Sequence, residues 1–294
     1  MSELTVDLER DTAIDAPFSR VCALTELPAT TPGTGRYLGV IDKIWTIGPK
    51  VHGGTMVATS AAAATNWLRA SDPALAAMAP IAASSDFLGA PVPGEVEYEV
   101  HIRKVGRQIC LVDATLIQEG RNLVRTAFTF GHLDDADPIY AAQHGDMPAA
   151  PPADAIGYED GSAMGAIVNV GQGAELYIDR QWARFLTGEQ GEPRLRLWMR
   201  PRAGDQQDPD VSMYLAMMSA DMSPPVPFNL GRAGWAPTVQ MTTYLRRRPA
   251  PGWLRIIATT HEVGGRMFDE DQLILDSTGA VVAQSRQLAL MPQS

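Results

Sequence analysis

Apolar and polar residues alternate along two stretches of the chain in a pattern typical of β-strands. Three segments in the first half are rich in Val, Ile, Leu, Thr and Phe, and three in the second half repeat this composition. Because only short turns join consecutive segments, we expect antiparallel pairing within each stretch. The six predicted strands are 96–105, 108–118, 122–130, 253–262, 267–275 and 280–290.

Glycines recur at the same spacing in both stretches, which indicates an internal repeat. The separation of Gly94 from Gly106 in the first half equals that of Gly252 from Gly264 in the second. Each stretch also opens on a Pro-x-Pro-Gly sequence that ends at the first glycine of its pair. A repeat of this kind predicts one supersecondary unit that is present twice.

One helix is predicted upstream of the strands in each half. Residues 55–68 are rich in alanine, and residues 210–222 carry Val, Met and Tyr at helical spacing, with Asp210 as the expected N-cap. Both segments contain few charged residues, so we expect each helix to be enclosed. The methionines of the second helix are interpreted as core-filling side chains.

A long helix wrapped by a curved antiparallel sheet, present twice, describes an α+β protein with a double hot-dog fold. We expect an N-terminal unit at 20–134, a linker at 135–165 rich in Asp, Ala, Pro and Gly, and a C-terminal unit at 166–293. Each unit has an edge strand to cover, so the two sheets are expected to join into one continuous pseudo-dimer.

Charge argues against one class of partner. The formal net charge of −10 and the pI near 5.0 oppose binding to nucleic acid, which depends on a basic surface. The densest positive run, 246–248, has two interpretations. Arg246 could bind an anionic ligand, or the run could be a solvated strand end whose charges discourage edge pairing.

The cysteine content and the N-terminus both favour a cytoplasmic protein. Cys22 and Cys110 are too few and too far apart to suggest a disulfide framework, and we expect both to be reduced. Residues 1–15 lack the basic and apolar regions of a signal peptide. No apolar run is long enough to cross a bilayer, so no membrane association is expected.

Three polar residues lie at the end of the second helix and in the strands that follow it. Asp221 ends a Ser-Ala-Asp sequence, Thr238 lies in Pro-Thr-Val at the start of the next strand, and Gln287 lies in the last strand. With this order and spacing the chain resembles the acyl-CoA thioesterase II family, over roughly residues 20 to 292. The neighbours Gln240 and Met241 depart from that family.

The resemblance implies an acyl-CoA thioester hydrolase of fatty acid and lipid metabolism, with acyl-CoA as a small-molecule substrate, no further cofactor, and association into a homo-oligomer. It also implies that Asp221, Thr238 and Gln287 are catalytic. Their chemistry suits that reaction, because an acid can take a proton from water while a hydroxyl and an amide hold the water in place. N–H groups at a helix N-terminus could stabilise the oxyanion.

The first copy has no equivalent polar set. Aligning the glycines places Phe128 opposite Gln287 and Pro80 opposite Thr238, with an alanine from 61–64 near the position of Asp221. The second copy is therefore expected to supply the chemistry.

A His-Gly-Gly sequence precedes the first predicted helix. A similar sequence lies beside the thioester in related single-domain hot-dog thioesterases, which makes His52, Gly53 and Gly54 candidate substrate-binding residues together with Arg246. The alternative for His52 is a helix cap or a packed side chain.

The sequence lacks the motifs of two other kinds of site. The remaining histidines show no metal-ligand spacing, so no metal is predicted. A Gly-x-Ser-x-Gly sequence is absent, which argues against an α/β-hydrolase. Two alternatives stay open: a hot-dog enoyl-CoA hydratase, and a non-catalytic acyl-CoA-binding module.

Overall fold

The computed structural model describes residues 16–292 except 135, 146, 160, 161, 163 and 207. The predicted absence of a signal peptide at 1–15 therefore concerns residues outside the described part. The described α-helices are α1 (Pro17–Cys22), α2 (Gly53–Ser71), α3 (Val170–Gly173) and α4 (Pro209–Ser219). The described strands are β1 (Thr25–Leu27), β2 (Thr34–Ile41), β3 (Thr46–Ile47), β4 (Lys50–Val51), β5 (Ala79–Phe87), β6 (Gly94–Lys104), β7 (Ile109–Gln118), β8 (Arg121–Gly131), β9 (Ile156–Gly157), β10 (Ala174–Ile178), β11 (Leu195–Pro201), β12 (Thr238–Leu245), β13 (Leu254–Thr259), β14 (Met267–Leu275) and β15 (Val281–Leu290).

One antiparallel sheet of 13 strands runs through both halves of the molecule, in the order β1-β2-β6-β7-β8-β5-β12-β15-β14-β13-β11-β10-β9. The halves meet where β5 pairs with β12, with Ser85 opposite Met241. The expected continuous pseudo-dimer and the α+β double hot-dog architecture are therefore confirmed.

The two halves of the sheet repeat one topology. The order β2-β6-β7-β8-β5 in the first unit corresponds to β11-β13-β14-β15-β12 in the second. Even the register irregularities correspond, since a bulge follows Pro80 in β5 and another follows Thr238 in β12. The six strands predicted from hydrophobic alternation all form, with ends shifted by at most a few residues.

Helices α2 and α4 lie side by side and antiparallel between the two halves. The C-terminus of α2 meets the N-terminus of α4 through an ion pair of Arg69 with Asp210, while the other ends meet near Asp221. Both helices are enclosed as expected.

The predicted N-cap of α4 was wrong by two residues. Asp208 caps α4 by accepting hydrogen bonds from the N–H groups of Asp210 and Val211, which leaves the Asp210 carboxylate free to pair with Arg69.

The segment expected to be only a linker contains packed structure. Strand β9 pairs with β10 at one edge of the sheet, and the side chains of Met147 and Tyr158 are buried. The carbonyl of Pro148 accepts a hydrogen bond from the indole N–H of Trp198 at 2.8 Å. The predicted unit boundaries stay predictions.

Both cysteines, Cys22 and Cys110, are free and buried. Among the described residues, no helix combines the length and the apolar character needed to cross a membrane.

Candidate active site

Asp221 lies just beyond the C-terminus of α4, with its side chain only 10% exposed. Its own N–H donates to the Met218 carbonyl at 3.2 Å, which continues the last helical turn. Its carboxyl group, however, accepts a hydrogen bond from the N–H of Gly54 in the other unit. Burial raises the pKa of Asp221 from 3.8 to about 7, and the hydrogen bond from Gly54 acts in the opposite direction.

His52 connects the first turn of α2 to this acid. Its Nδ1 accepts a hydrogen bond from the Thr55 N–H at 3.3 Å, so Nε2 carries the proton that is donated to the Asp221 carbonyl at 2.8 Å. Burial lowers the pKa of His52 to about 4, which keeps the ring neutral near pH 7. Both ring nitrogens thus have protein partners. The contact of His52 with substrate stays a prediction.

The two glycines after His52 allow α2 and α4 to approach closely. A β-carbon at Gly53 would collide with Oδ2 of Asp221, and one at Gly54 would collide with the carbonyl of Met218. A larger residue at Gly53 would displace either the α2 N-terminus or the Asp221 side chain, and one at Gly54 would push the backbones of the two helices apart. The His-Gly-Gly sequence of one unit therefore shapes the surroundings of Asp221 in the other.

Thr238 and Gln287 lie on neighbouring strands and are directly hydrogen-bonded. The Thr238 hydroxyl donates to Oε1 of Gln287 at 2.6 Å. Thr238 is the first residue of β12, where it pairs with Ala289 just before the bulge, and Gln287 points to the buried face of β15. Because the hydroxyl proton is used in this bond, the Thr238 oxygen can only accept from a water molecule.

A fourth polar residue, Glu270, contacts Gln287 and was missed by sequence reasoning. It is fully buried on β14, opposite Gln287 in the sheet, and its Oε1 accepts from the Gln287 amide at 3.4 Å. Burial raises the pKa of Glu270 to about 7, with a further contribution from the charge of Asp221. The signal was available in the alternation of β14, which places Glu270 and Gln272 on the same face as Phe268 and Ile274.

The corresponding end of the first unit is apolar. Strand registers place Pro80 at the position of Thr238 and Phe128 at the position of Gln287, which agrees with the alignment of the glycines. The rings of Phe128 and Phe130 are both buried, with centroids 6.1 Å apart. Among the described residues, a polar group of this kind therefore forms once per chain. It consists of Asp221, Thr238, Gln287 and Glu270.

Arg246 lies away from this polar group. It follows the last residue of β12, at the opposite end from Thr238, and a strand of this length spans roughly 25 Å. Its guanidinium donates to the Gln284 side chain at 3.0 Å and lies over the Tyr244 ring. A role for Arg246 in binding the charged part of CoA stays a prediction.

One group of potential metal ligands lies away from the site. His261, Asp269 and Asp271 come together at the turn between β13 and β14, with ligand atoms within 4.8 Å of one another. Arg286 already donates twice to the Asp271 carboxylate, at 2.6 Å each. Sequence spacing did not suggest this group, and the prediction that the protein binds no metal stays untested.

The raised pKa of Asp221 predicts a pH-dependent change in stability. The folded carboxyl keeps its proton up to about pH 7, whereas the unfolded chain releases it near pH 4, so the free energy of unfolding falls as pH rises between these values. The shift corresponds to about 4 kcal/mol. Asp221→Asn should therefore melt several degrees above wild type at pH 8 and close to wild type at pH 4. Melting curves measured at both values test this, and identical curves at pH 8 would contradict it.

Family models match both halves of the chain. The acyl-CoA thioesterase N-terminal domain matches residues 41–131, and the acyl-CoA thioesterase C-terminal domain matches residues 144–291. Among whole-length relatives, the uncharacterized proteins Rv0499 of Mycobacterium tuberculosis and Mb0510 of Mycobacterium bovis are each 36% identical over 301 residues. That similarity covers 95% of this chain and 99% of each relative.

Solved structures agree in fold along nearly the whole chain. A Thermobifida fusca protein assigned as a thioesterase II is 27% identical, with a TM-score of 0.78 and coverage of 95% of this chain and 98% of that one. The acyl-CoA thioesterase II TesB2 of Mycobacterium marinum is 18% identical, with a TM-score of 0.64 and coverage of 94% and 98%. With both halves matched and the double hot-dog fold in place, this chain belongs to the acyl-CoA thioesterase family and is a thioesterase enzyme.

Proposed function

We propose that this enzyme hydrolyses acyl-CoA to CoA and a free carboxylic acid, with Asp221 as the base that removes a proton from the attacking water. The observation that carries the proposal is the position of Asp221, a nearly buried acid with a pKa of about 7 at the N-terminus of α2. A general base is most effective when its pKa lies near the working pH.

Thr238 and Gln287 hold the water in this proposal. Since the Thr238 hydroxyl donates to Gln287, its oxygen accepts one hydrogen of the water while Asp221 accepts the other. The water then directs a lone pair at the carbonyl carbon of the thioester. Thr238 and Asp221 thus hold the water with its oxygen aimed at the carbonyl carbon, which lowers the entropic part of the activation barrier.

The N-terminus of α2 supplies positive potential for the oxygen that becomes negative. Its first-turn N–H groups are partly used, since Gly54 donates to Asp221 and Thr55 donates to His52. Among the described residues Gly53 N–H has no hydrogen-bond partner, and we assign it to the thioester oxygen.

The reaction balances without any further reagent. Water adds to the carbonyl carbon as its proton moves to Asp221, which forms a tetrahedral intermediate. The carbon–sulfur bond then breaks, and the CoA sulfur leaves with the proton from Asp221. The products are one free thiol and one carboxylic acid, and the Asp221 carboxylate is regenerated.

The proposal predicts the pH dependence of kcat/KM. A base must be deprotonated to act, so activity should rise with pH and level off above an inflection near pH 7, set by the raised pKa of Asp221. Thiol release measured from pH 5 to pH 9 tests this expectation. A profile that stays flat down to pH 5 would exclude Asp221 as the base.

The substrate is identified by thiol release from short, medium, long and aromatic acyl-CoAs, followed with a thiol-reactive dye. Hydrolysis of at least one of them supports the proposal. Hydration of crotonyl-CoA without thiol release would indicate a hydratase instead. Tight binding of acyl-CoA with turnover of none of them would indicate a binding module.

The proposal also includes the compartment, the metabolic role and the oligomeric state. The unpaired buried thiols of Cys22 and Cys110 support a cytoplasmic enzyme, and the acyl-CoA substrate supports a role in fatty acid metabolism. Apolar side chains on the outer face of the central strands, at Val239, Tyr244 and Leu288, are 39–46% exposed and support association with further copies.

A further inference from the structure

The carboxyl group of Glu270 is surrounded by hydrogen-bond donors. Its Oε1 accepts from the Ser223 hydroxyl, from the Gln272 amide at 2.9 Å and from the Gln287 amide at 3.4 Å. Its Oε2 accepts from the N–H of Val226 at 3.0 Å. Burial raises the pKa of this carboxyl, and the hydrogen bonds from Ser223, Val226 and Gln272 act in the opposite direction. In its ionised form the carboxyl can only accept hydrogen bonds, which suits all four donors.

An acceptor at this position fixes the orientation of the neighbouring amide. Gln287 must direct its NH₂ group towards Glu270, so its carbonyl oxygen faces the other way and accepts from the Thr238 hydroxyl. The Thr238 oxygen is then left with acceptor capacity alone on the side where the water would lie. Glu270 thus determines which group donates and which accepts in each hydrogen bond that links it through Gln287 to Thr238.

We propose that Glu270 is a positioning residue that fixes the direction of the hydrogen-bond chain through Gln287 and Thr238 to the attacking water. This inference rests on the proposed function, because it assigns Thr238 to the water. Glu270 itself touches no reacting atom. Its removal is therefore expected to act on the chemical step and to leave substrate binding almost unchanged.

The charged surroundings of Glu270 are simple. Asp221 is the ionisable group that acts on it, and His52, which contacts Asp221, is kept neutral by burial. The adjacent residues of β14, Asp269 and Asp271, point to the opposite face, where they bind His261 and Arg286. Asp221 and Glu270 are thus the two acids that must both be ionised for the proposed arrangement.

A purely structural role is the alternative, because Glu270 also anchors the segment that follows Asp221. Ser223 and Val226 donate to its carboxyl, and Gln272 accepts from the Met222 N–H at 3.3 Å. The experiment must therefore separate an effect through Gln287 and Thr238 from an effect through this segment.

The test compares Glu270→Gln with wild type, using the best acyl-CoA of the panel. Glutamine keeps the volume but can donate as well as accept, so the amide of Gln287 is free to turn over. We expect kcat to fall about 10- to 100-fold and KM to change less than about threefold. The matched control is Glu262→Gln, an exposed position outside the catalytic arrangement, which should retain wild-type activity.

The pH profile gives a readout that a structural role would not change. Two required deprotonations in wild type should make the slope of log kcat/KM against pH approach 2 on the acid side, whereas Glu270→Gln should approach 1. Equal slopes in the two proteins would overturn the proposal.

A double-mutant cycle with Thr238→Val distinguishes an effect through Gln287 and Thr238 from an effect through the segment that follows Asp221. If Glu270 acts through Thr238, then Glu270→Gln should have little further effect once the hydroxyl is removed. If the two losses multiply in full, Glu270 acts elsewhere and the inference fails. Full activity in Asp221→Asn would overturn the proposed function. If Asp221→Asn loses activity while Glu270→Gln keeps the wild-type kcat, only the Glu270 inference is overturned.

Discussion

Replacing Asp221 with asparagine is expected to lower kcat for acyl-CoA hydrolysis roughly 10³-fold while the fold is preserved. The amide has nearly the shape of the carboxyl and can still accept the hydrogen bond from Gly54, so the contact between α2 and α4 should survive. It cannot take a proton from water, which removes the base. Thiol release under saturating substrate, together with circular dichroism, measures both parts of this expectation.

The matched control for this variant is Asp210→Asn. Asp210 lies where the opposite ends of α2 and α4 meet, and its carboxylate pairs with Arg69. The same chemical change at that end removes an ion pair that is partly exposed, which has a small effect on stability and none on the proposed chemistry. Equal activity in the two variants would exclude Asp221 as the base.

Gly53→Ala is expected to lower kcat about 100-fold or more and to destabilise the protein. The added methyl group would collide with Oδ2 of Asp221 and lie 3.4 Å from the ring of Phe87. Either α2 or the acid must then move, and a displacement of about 1 Å at a catalytic group is enough for a loss of this size. Activity per folded molecule, normalised by calorimetry, measures the effect.

Gly265→Ala serves as the matched control for the glycine variant, because a β-carbon there would meet no atom within 4 Å. It should show wild-type turnover and stability close to wild type. If Gly53→Ala were as active as this control, the close approach of α2 to Asp221 would have no part in catalysis.

Local patterns were sufficient to predict the architecture. The alternation of β6, β7, β8, β13, β14 and β15 and the spacing of their glycines are properties of adjacent residues, so the repeat was visible in the sequence. The strands β2, β5 and β11 were missed. Strand β2 contains glycines that interrupt its apolar pattern and make room for neighbouring side chains, such as Trp67 beside Gly35.

The candidate site was predicted only as far as the order and spacing of its polar residues allowed. They pointed to Asp221, Thr238 and Gln287, whose catalytic roles stay predictions, but the hydrogen bond between His52 and the Asp221 carbonyl joins residues 169 positions apart. The raised pKa of Asp221 follows from its burial, and Gly53 and Gly54 of the other unit lie against it, which no local pattern contains. The alternation of β14 places Glu270 on the buried face, but its partners come from β15 and from the segment after α4, which the sequence does not bring together.

The junction of β5 with β12 lies within a single polypeptide, and this affects how the protein can evolve. In an assembly of two identical chains, one substitution appears at both symmetric positions. Phenylalanine in place of the glutamine would then remove both sites at once. Here Phe128 fills one position while Gln287 remains at the other. Joining the units therefore allows selection to act on each half separately, so that one half can be refined for packing while the other retains its buried polar groups.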